Sequence, residues 1–286
     1  MTKLKRCSVG LAASAALLAF AGATAQNIVP VELPTENNTI GAGAFAMPDF
    51  YGAEDFHAEG TALLHANLGY GTWLELIGPE LRVNLVPNFY TQLQQFRGGI
   101  VYRARPSRDD DMGDEVVRRM RRIPYSTEVG VFASYTLPLD ANPMHKVVVR
   151  GDVTWNTNSV YDGAVGTIDA TYFHPFGQQL WGRSLIGSAG VSLFFASDHF
   201  TSRYFGIENE DLLLFPERAG IPYRPEGGLA SVRVPVSLTA QLDPHWSFTV
   251  SGRYERLLDA AADSPIVRQR GNENQWQVGA TVNYYF

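Results

Sequence analysis

A single cysteine, Cys7, is all that 286 residues contain. It falls in a stretch that reads as a removable leader. The chain expected after it has no thiol, which excludes disulfides, thiolate metal sites and cysteine nucleophiles. Long apolar runs are equally scarce: beyond the leader no stretch approaches the ~18 uninterrupted apolar residues of a spanning helix. Positive charge is in deficit too, with 23 Lys+Arg against 29 Asp+Glu. Assigning Lys3, Lys5 and Arg6 to the leader widens the imbalance to about −9, which argues against an extended nucleic-acid footprint. Nothing after about residue 38 looks like a linker, so one domain is expected.

The leader is MTKLKRCSVGLAASAALLAFAGATA, three basic residues followed by an apolar run through Phe20 and the small residues Ala23-Thr24-Ala25. That order marks a secretory signal peptide over residues 1–25, cut before Gln26. The alternative, an N-terminal anchor, would need ~20 apolar residues and finds fewer. Cys7 precedes the apolar run, whereas a lipid-anchor cysteine would follow it. Residues 26–37 then read as a periplasmic lead-in and 38–286 as the folded part.

What the chain has in abundance is period-2 alternation. In NQWQVGATVNYYF, Trp276, Val278, Ala280, Val282, Tyr284 and Phe286 share one face; Gln275, Gln277, Gly279, Thr281 and Asn283 share the other. Successive strand side chains point to opposite sides, so one face meets an apolar medium and the other a polar one. The pattern recurs at Val232–Ala240, Trp246–Tyr254, Val147–Trp155, Val129–Leu137 and Leu185–Phe195. Two details separate a membrane barrel from a soluble sandwich. The polar faces carry Arg150, Asp152, Arg233, Arg253 and Glu255, which a dry sandwich core rejects and a barrel lumen accepts. The apolar faces begin or end on aromatics, Tyr135, Trp155, Tyr172, Trp246, Tyr254 and Trp276, as the girdles at the two membrane interfaces do.

The expected fold is therefore all-β, a closed antiparallel transmembrane β-barrel, the closure leaving no orphaned edge in lipid. Twelve strands are expected, near 38–48, 59–69, 71–78, 80–88, 98–106, 125–138, 144–156, 163–174, 183–196, 228–242, 245–257 and 273–286; merging segments within 59–106 would give ten. An even count puts both termini in the periplasm and the long connections 107–124, 197–227 and 258–272 outside. The aromatic end at Tyr284 and Phe286 resembles the assembly signal of bacterial outer-membrane barrels, implying the barrel-assembly machinery as a partner.

Several stretches are similar to one family. GAGAFAMPDFYGAEDF (41–56), RVNLVPN (82–88), YFGI (204–207) and above all RYERLLDAAADSPIV (253–267) resemble the MipA/OmpV family of outer-membrane proteins. The most specific part is Asp263-Ser264-Pro265-Ile266-Val267. The resemblance implies an outer-membrane barrel in a Gram-negative envelope. It also implies a scaffold role, binding a lytic transglycosylase and a bifunctional penicillin-binding murein synthase so that cutting and building of peptidoglycan are coordinated. No residue of this chain matches a known contact surface for that role.

Catalysis has little to stand on. His199 and Ser202, three apart in DHFTSRYF, which reads as an extended or irregular loop, are the nearest approach to a hydrolase pair, and spacing alone does not make one. In SRDDDMGDEVVRRMRRIP, Asp109, Asp110, Asp111, Asp114 and Glu115 offer oxygen ligands without calcium-loop spacing. Arg118, Arg119, Arg121 and Arg122 suit lipopolysaccharide phosphates. The plainer reading is a solvated loop with a short helix, acidic at its start and basic at its end. The inward charges either pair and plug a narrow lumen or line a selective pore. A non-enzymatic barrel without metal or cofactor, in contact with outer-membrane lipid and lipopolysaccharide, is the expectation; a small-solute channel and an outer-membrane lipid hydrolase stay open.

Overall fold

The computed structural model describes residues 37–89, 94–109, 112–180 and 183–286. The expected signal peptide, nearly all of the expected lead-in, and Asp110 and Asp111 of the acidic run lie outside the described residues. Twelve strands follow one another: β1 (Thr39–Pro48), β2 (Phe56–Gly69), β3 (Thr72–Ile77), β4 (Glu80–Asn84), β5 (Phe96–Arg105) and β6 (Ser126–Pro138), then β7 (Lys146–Asn156), β8 (Ala164–Leu180), β9 (Arg183–Ala196), β10 (Gly228–Gln241), β11 (Trp246–Leu257) and β12 (Asn274–Tyr285). Each pairs with its sequence neighbours, and β1 pairs with β12, closing the barrel. All the pairings are antiparallel. Among the described residues no helix is long and apolar enough to cross a membrane.

Alternation does the sorting. In β6, Val129, Val131, Tyr135 and Leu137 face outward and exposed, while Ser126, Glu128 and Ser134 are buried in the lumen. In β11, Trp246, Phe248 and Val250 are outside, with Ser247, Thr249, Ser251, Arg253 and Glu255 buried inside. The outer faces thus form the apolar surface that lipid requires.

The ambiguous segment 59–106 resolves into separate strands because of its turns. Tyr70 and Gly71 both have positive φ, 55° and 82°, the geometry that lets a two-residue hairpin follow strand twist. Gly78, at φ 53°, opens the equally short turn that pairs Ile77 with Glu80. β4 stops at Asn84 instead of running to 88. The Asn84 amide donates to the carbonyls of Gly71 and Val86, at 2.8 and 3.1 Å, and its Oδ1 accepts from Gly98 N at 2.9 Å. That side chain replaces ladder bonds just before Pro87. β8 runs six residues past the expected end; Pro175 stands opposite Ile186 without breaking the ladder, and the register shifts only between Phe176 and Leu180.

The connections mostly separate by length, the short turn 78–79 and the longer stretch 85–95 being exceptions. At the end holding Thr39 and Tyr285, hereafter the open end, strands are joined by stretches such as 70–71, 139–145 and 242–245. At the other end the chain inserts 106–125, 197–227 and 258–273, and these fold into a lid. Its helices are α1 (Glu115–Arg119), α2 (Asp198–Phe205), α3 (Asp259–Ala262) and α4 (Pro265–Arg270), with 3-10 turns at Asn209–Leu214 and Pro216–Arg218. One apolar cluster packs Tyr51, Ile123, Tyr161, Phe200, Tyr204 and Val267 onto strand-end residues such as Phe194 and Leu257. A second holds Phe50, Val117, Ile207, Phe215 and Ile266.

Candidate functional site: a lidded, charge-filled lumen

Just beneath the lid, Glu128 of β6 is fully buried and collects four donors. Arg105 of β5 donates to it from Nε and, at 3.1 Å, from Nη2; Tyr161 Oη donates at 2.6 Å and Thr154 Oγ1 at 2.8 Å. Arg105 also donates to Tyr51 Oη at 2.5 Å and lies over the rings of Phe200 and Phe194, 5.1 and 5.5 Å from their centroids. Tyr51 and Tyr161 belong to connections at the lid end, so the Arg105–Glu128 pair ties two loops to the barrel wall. Deeper in, Arg103 donates to Glu80 at 2.7 Å and to Asp152 at 3.1 Å. Arg82 pairs with Glu80 and stands 3.7 Å from Glu75, itself 3.7 Å from His65. On the facing wall Glu255 accepts from Arg233 at 2.8 Å, Arg253 at 3.0 Å and Ser231 at 2.6 Å, and the Arg233 guanidinium sits 4.3 Å above Phe194. Charges this deep persist because each has an opposite charge beside it, for most of them at hydrogen-bond distance.

Of the five inward charges named from sequence, the structure brings Arg233, Arg253 and Glu255 together. Asp152 is held by Arg103 instead, and Arg150 stands opposite Asp169 in the β7–β8 register. The two groups flank a cavity of about 60 Å³ lined by Glu80, Arg82, Arg103, Asp152, Arg233 and Arg253 with Thr167, Asp169 and Ser192. Glu75, Glu80, Arg82, Arg103, Arg105 and Glu128 escaped the sequence-based cluster; the alternation of charge in ELRVN and RAR was the available signal. From β11 round through β1 to β6, lumen-facing side chains are buried down to the open end, among them Thr281, Phe45, His65, Trp73 and Phe132. Side chains rather than solvent occupy that half.

The lid has its own polar frame. Asp114 caps α1, accepting from Val116 and Val117 N at 2.9 Å each, and receives Arg270 Nη2 at 2.6 Å. Burial pushes the Asp114 carboxyl upward, but the Arg270 and Val117 hydrogen bonds, the Arg270 charge and the Val116 hydrogen bond outweigh it and hold the group below its usual range. Arg108, deep in the lid, is pushed down to about 10 by burial and by Arg121 and Arg203, against the pull of Asp211. Ser264 Oγ accepts from Ile266 N at 3.2 Å, capping α4, and donates to the Phe205 carbonyl at 2.6 Å. Pro265, Ile266 and Val267 are buried, while Asp263 stays exposed near Arg268. The 263–267 stretch is thus a structural anchor of the lid.

The remaining expected residues fall as follows. Trp155, Tyr254 and Trp276 lie on the outer face toward the lid, with Tyr254 and Trp276 rings 4.7 Å apart. Tyr135, Tyr172, Trp246, Tyr284 and Phe286 lie toward the open end, where Trp246 and Tyr284 are 4.9 Å apart. DHFTSRYF, expected as an extended or irregular loop, is the helix α2, whose aromatics Phe200, Tyr204 and Phe205 point into the apolar lid cluster. His199 is exposed, and Ser202 Oγ donates to the Pro225 carbonyl at 3.3 Å. In the acidic run Asp109 accepts from Ser107 and Glu115 pairs with Arg119 along α1; among the described residues no group of three His, Asp or Glu is placed to hold a metal.

The family model described as MltA-interacting protein MipA matches residues 40–286. This chain belongs to that family. Two curated outer-membrane proteins are similar over a shorter stretch. Omp26La of Vibrio anguillarum is 31% identical over 115 residues, and OmpV of Vibrio cholerae serotype O1 is 32% identical over 115 residues; each alignment covers 40% of this chain and 40% of the relative. The chain therefore matches less than half the length of either. Among solved structures, the NanC porin aligns with a TM-score of 0.46 at 9% identity, over 87% of this chain and all of that one. An outer-membrane channel from Pseudomonas putida F1 aligns at 0.46 and 12%, over 91% and 100%. This MipA-family chain is an outer-membrane β-barrel protein.

Proposed function

We propose that this MipA-family barrel is a non-enzymatic interaction protein of the envelope, linking the outer membrane to peptidoglycan synthesis and turnover. The observation that carries the reading is the state of the lumen. Apolar clusters close one mouth, and buried ion pairs and aromatics fill much of the interior. A barrel built in this way offers surfaces to partners more readily than a path to solutes. The family description, an MltA-interacting protein, supports a lytic transglycosylase as one partner, and the resemblance extends this to a penicillin-binding murein synthase.

In bacterial barrels the short turns face the periplasm and the long loops face outward, which puts the open end toward the peptidoglycan. There Leu68, Tyr70, Leu85 and Phe89 are exposed, and the Tyr70 and Phe89 rings lie 5.1 Å apart. Exposed aromatics of this kind suit a protein contact. The test is capture of a purified lytic transglycosylase by the detergent-solubilised barrel. Saturable binding that drops at least tenfold in Tyr70→Ala/Phe89→Ala supports the reading. Absence of binding to the transglycosylase and to the murein synthase, together with steady single-channel conductance, would replace it with the small-solute channel.

A further inference from the structure

The lumen cavity has a surplus of donors. Each carboxylate on its wall has a cation facing it: Glu80 has Arg82 and Arg103, Asp152 has Arg103, and Asp169 has Arg150 across the β7–β8 register. The guanidiniums are less fully used. Arg233 Nη2 and Arg82 Nε find no hydrogen-bond acceptor, although these residues are only 4 and 8% exposed, and Arg103 Nη1 has only Glu128 Oε2, at 3.9 Å. Thr167 Oγ1, on the same wall and 7% exposed, is also without a partner. A guanidinium has donors and no acceptor, so what satisfies these groups must bring lone pairs. An unpaired buried donor is costly, and one guanidinium N–H matches one oxygen of a carboxylate or phosphate.

Shape and access fit the same ligand. The cavity, about 60 Å³, exceeds the ~10–15 Å³ that one water needs and suits a group of a few heavy atoms. Toward the lid the buried Phe194 ring packs against the Arg233 guanidinium, 4.3 Å from it, with buried Phe200 beyond. Toward the open end several lumen-facing side chains of β7 to β10, among them Lys146, Thr171, Ser188, Ser237 and Thr239, are partly exposed, while Val148 and Phe173 on the same wall are buried. That wall is the less tightly filled side of the lumen.

We propose that this cavity is a binding site for a small oxyanion, a single carboxylate or phosphate, held between Arg103 and Arg233 with Thr167 as an additional donor. It is tested apart from the scaffold reading, whose test is at the turns and not in the lumen.

The test uses the full barrel in detergent micelles, titrated with sodium acetate and, separately, inorganic phosphate at constant ionic strength made up with chloride. The readouts are isothermal titration and the midpoint of heat-induced unfolding on unboiled gels. The expected result is saturable binding with a raised midpoint for one or both anions, the two arms showing which chemistry is preferred. Arg233→Gln should weaken the affinity at least tenfold, and Arg119→Ala, on the outer surface of α1, should leave it unchanged. Should Arg233→Gln fail to fold, Thr167→Val decides: its hydroxyl has no partner to lose, so the barrel keeps its midpoint while anion affinity falls about threefold to tenfold. No saturable response beyond chloride, or equal affinity in wild type and Thr167→Val, overturns the proposal and leaves the cavity to water.

Discussion

Glu255 neutralises two guanidiniums at once, so its loss strands both Arg233 and Arg253 in the lumen. Removing one member of a buried ion pair costs about 3–5 kcal/mol, and Glu255→Ala is expected to lose at least that in urea unfolding from detergent or lipid. Unchanged stability would mean that solvent reaches these groups. In the lid, Asp114 ionises more readily folded than unfolded because of Arg270 and the α1 N–H groups. Its contribution is fully present above the unfolded carboxylate pKa and is lost as pH falls through the lowered folded value. Below about pH 4 the lid should therefore loosen in hydrogen exchange at residues 112–120, and Asp114→Asn should remove that acid dependence. Single residues were legible from sequence where the alternation was clean: Arg233, Arg253 and Glu255 stand in unbroken β10 and β11 patterns. Arg103 and Arg105 were not, since Gly98, Gly99 and Ala104 blur the period of β5. The partner of Asp152 lies 49 residues away, a distance that alternation does not bridge.

At the scale of elements, the closing pair β1–β12 depends on small residues. A Cβ on Gly279 would come within 2.3 Å of Phe45 Cδ1 and 2.4 Å of the Ala44 carbonyl, so the Phe45 ring occupies space that glycine leaves free. Gly279→Ala should cost about 1–3 kcal/mol by overpacking and lower the yield of heat-modifiable barrel. Gly60→Ala, where an added Cβ meets nothing within 4 Å, should refold as wild type, and equal yields from the two variants would show that the seam is not tightly packed. Most strand ends were readable to within about three residues, because lipid outside and polar groups inside impose one period on each strand; the far ends of β4 and β8, set by the Asn84 side chain and by the run past Pro175, were not. The lid helices were largely hidden. With four to eight residues each, they are too short to show a helical stripe, and their stability comes from caps such as Asp114 and Ser264 and from packing between distant loops. The 263–267 stretch stood out as a family signature, yet its work, seating Ile266 and Val267 in the lid, becomes visible only in three dimensions.

At the scale of the whole molecule, the filled lumen predicts near-silence in planar bilayers, without steady ohmic conductance. Conductance that survives with the lid intact would place a water path along the β7–β10 wall. The lid also crosses the barrel seam. Asn272 N donates to the Gly52 carbonyl at 2.8 Å and Gln275 Nε2 to the Ala53 carbonyl at 3.0 Å, continuing above the membrane the zipper that runs from Thr39–Tyr285 to Ala46–Val278. Gln275 and Ala53 are 222 residues apart in the chain, and the seam pairs are farther apart still. Loop closure over such a span is entropically demanding and slow. Seam and lid then form as one late event, after the ten intervening strands have been laid side by side. Until that moment the growing sheet has two free edges in contact with lipid, and its shelter during this interval has to come from outside the chain.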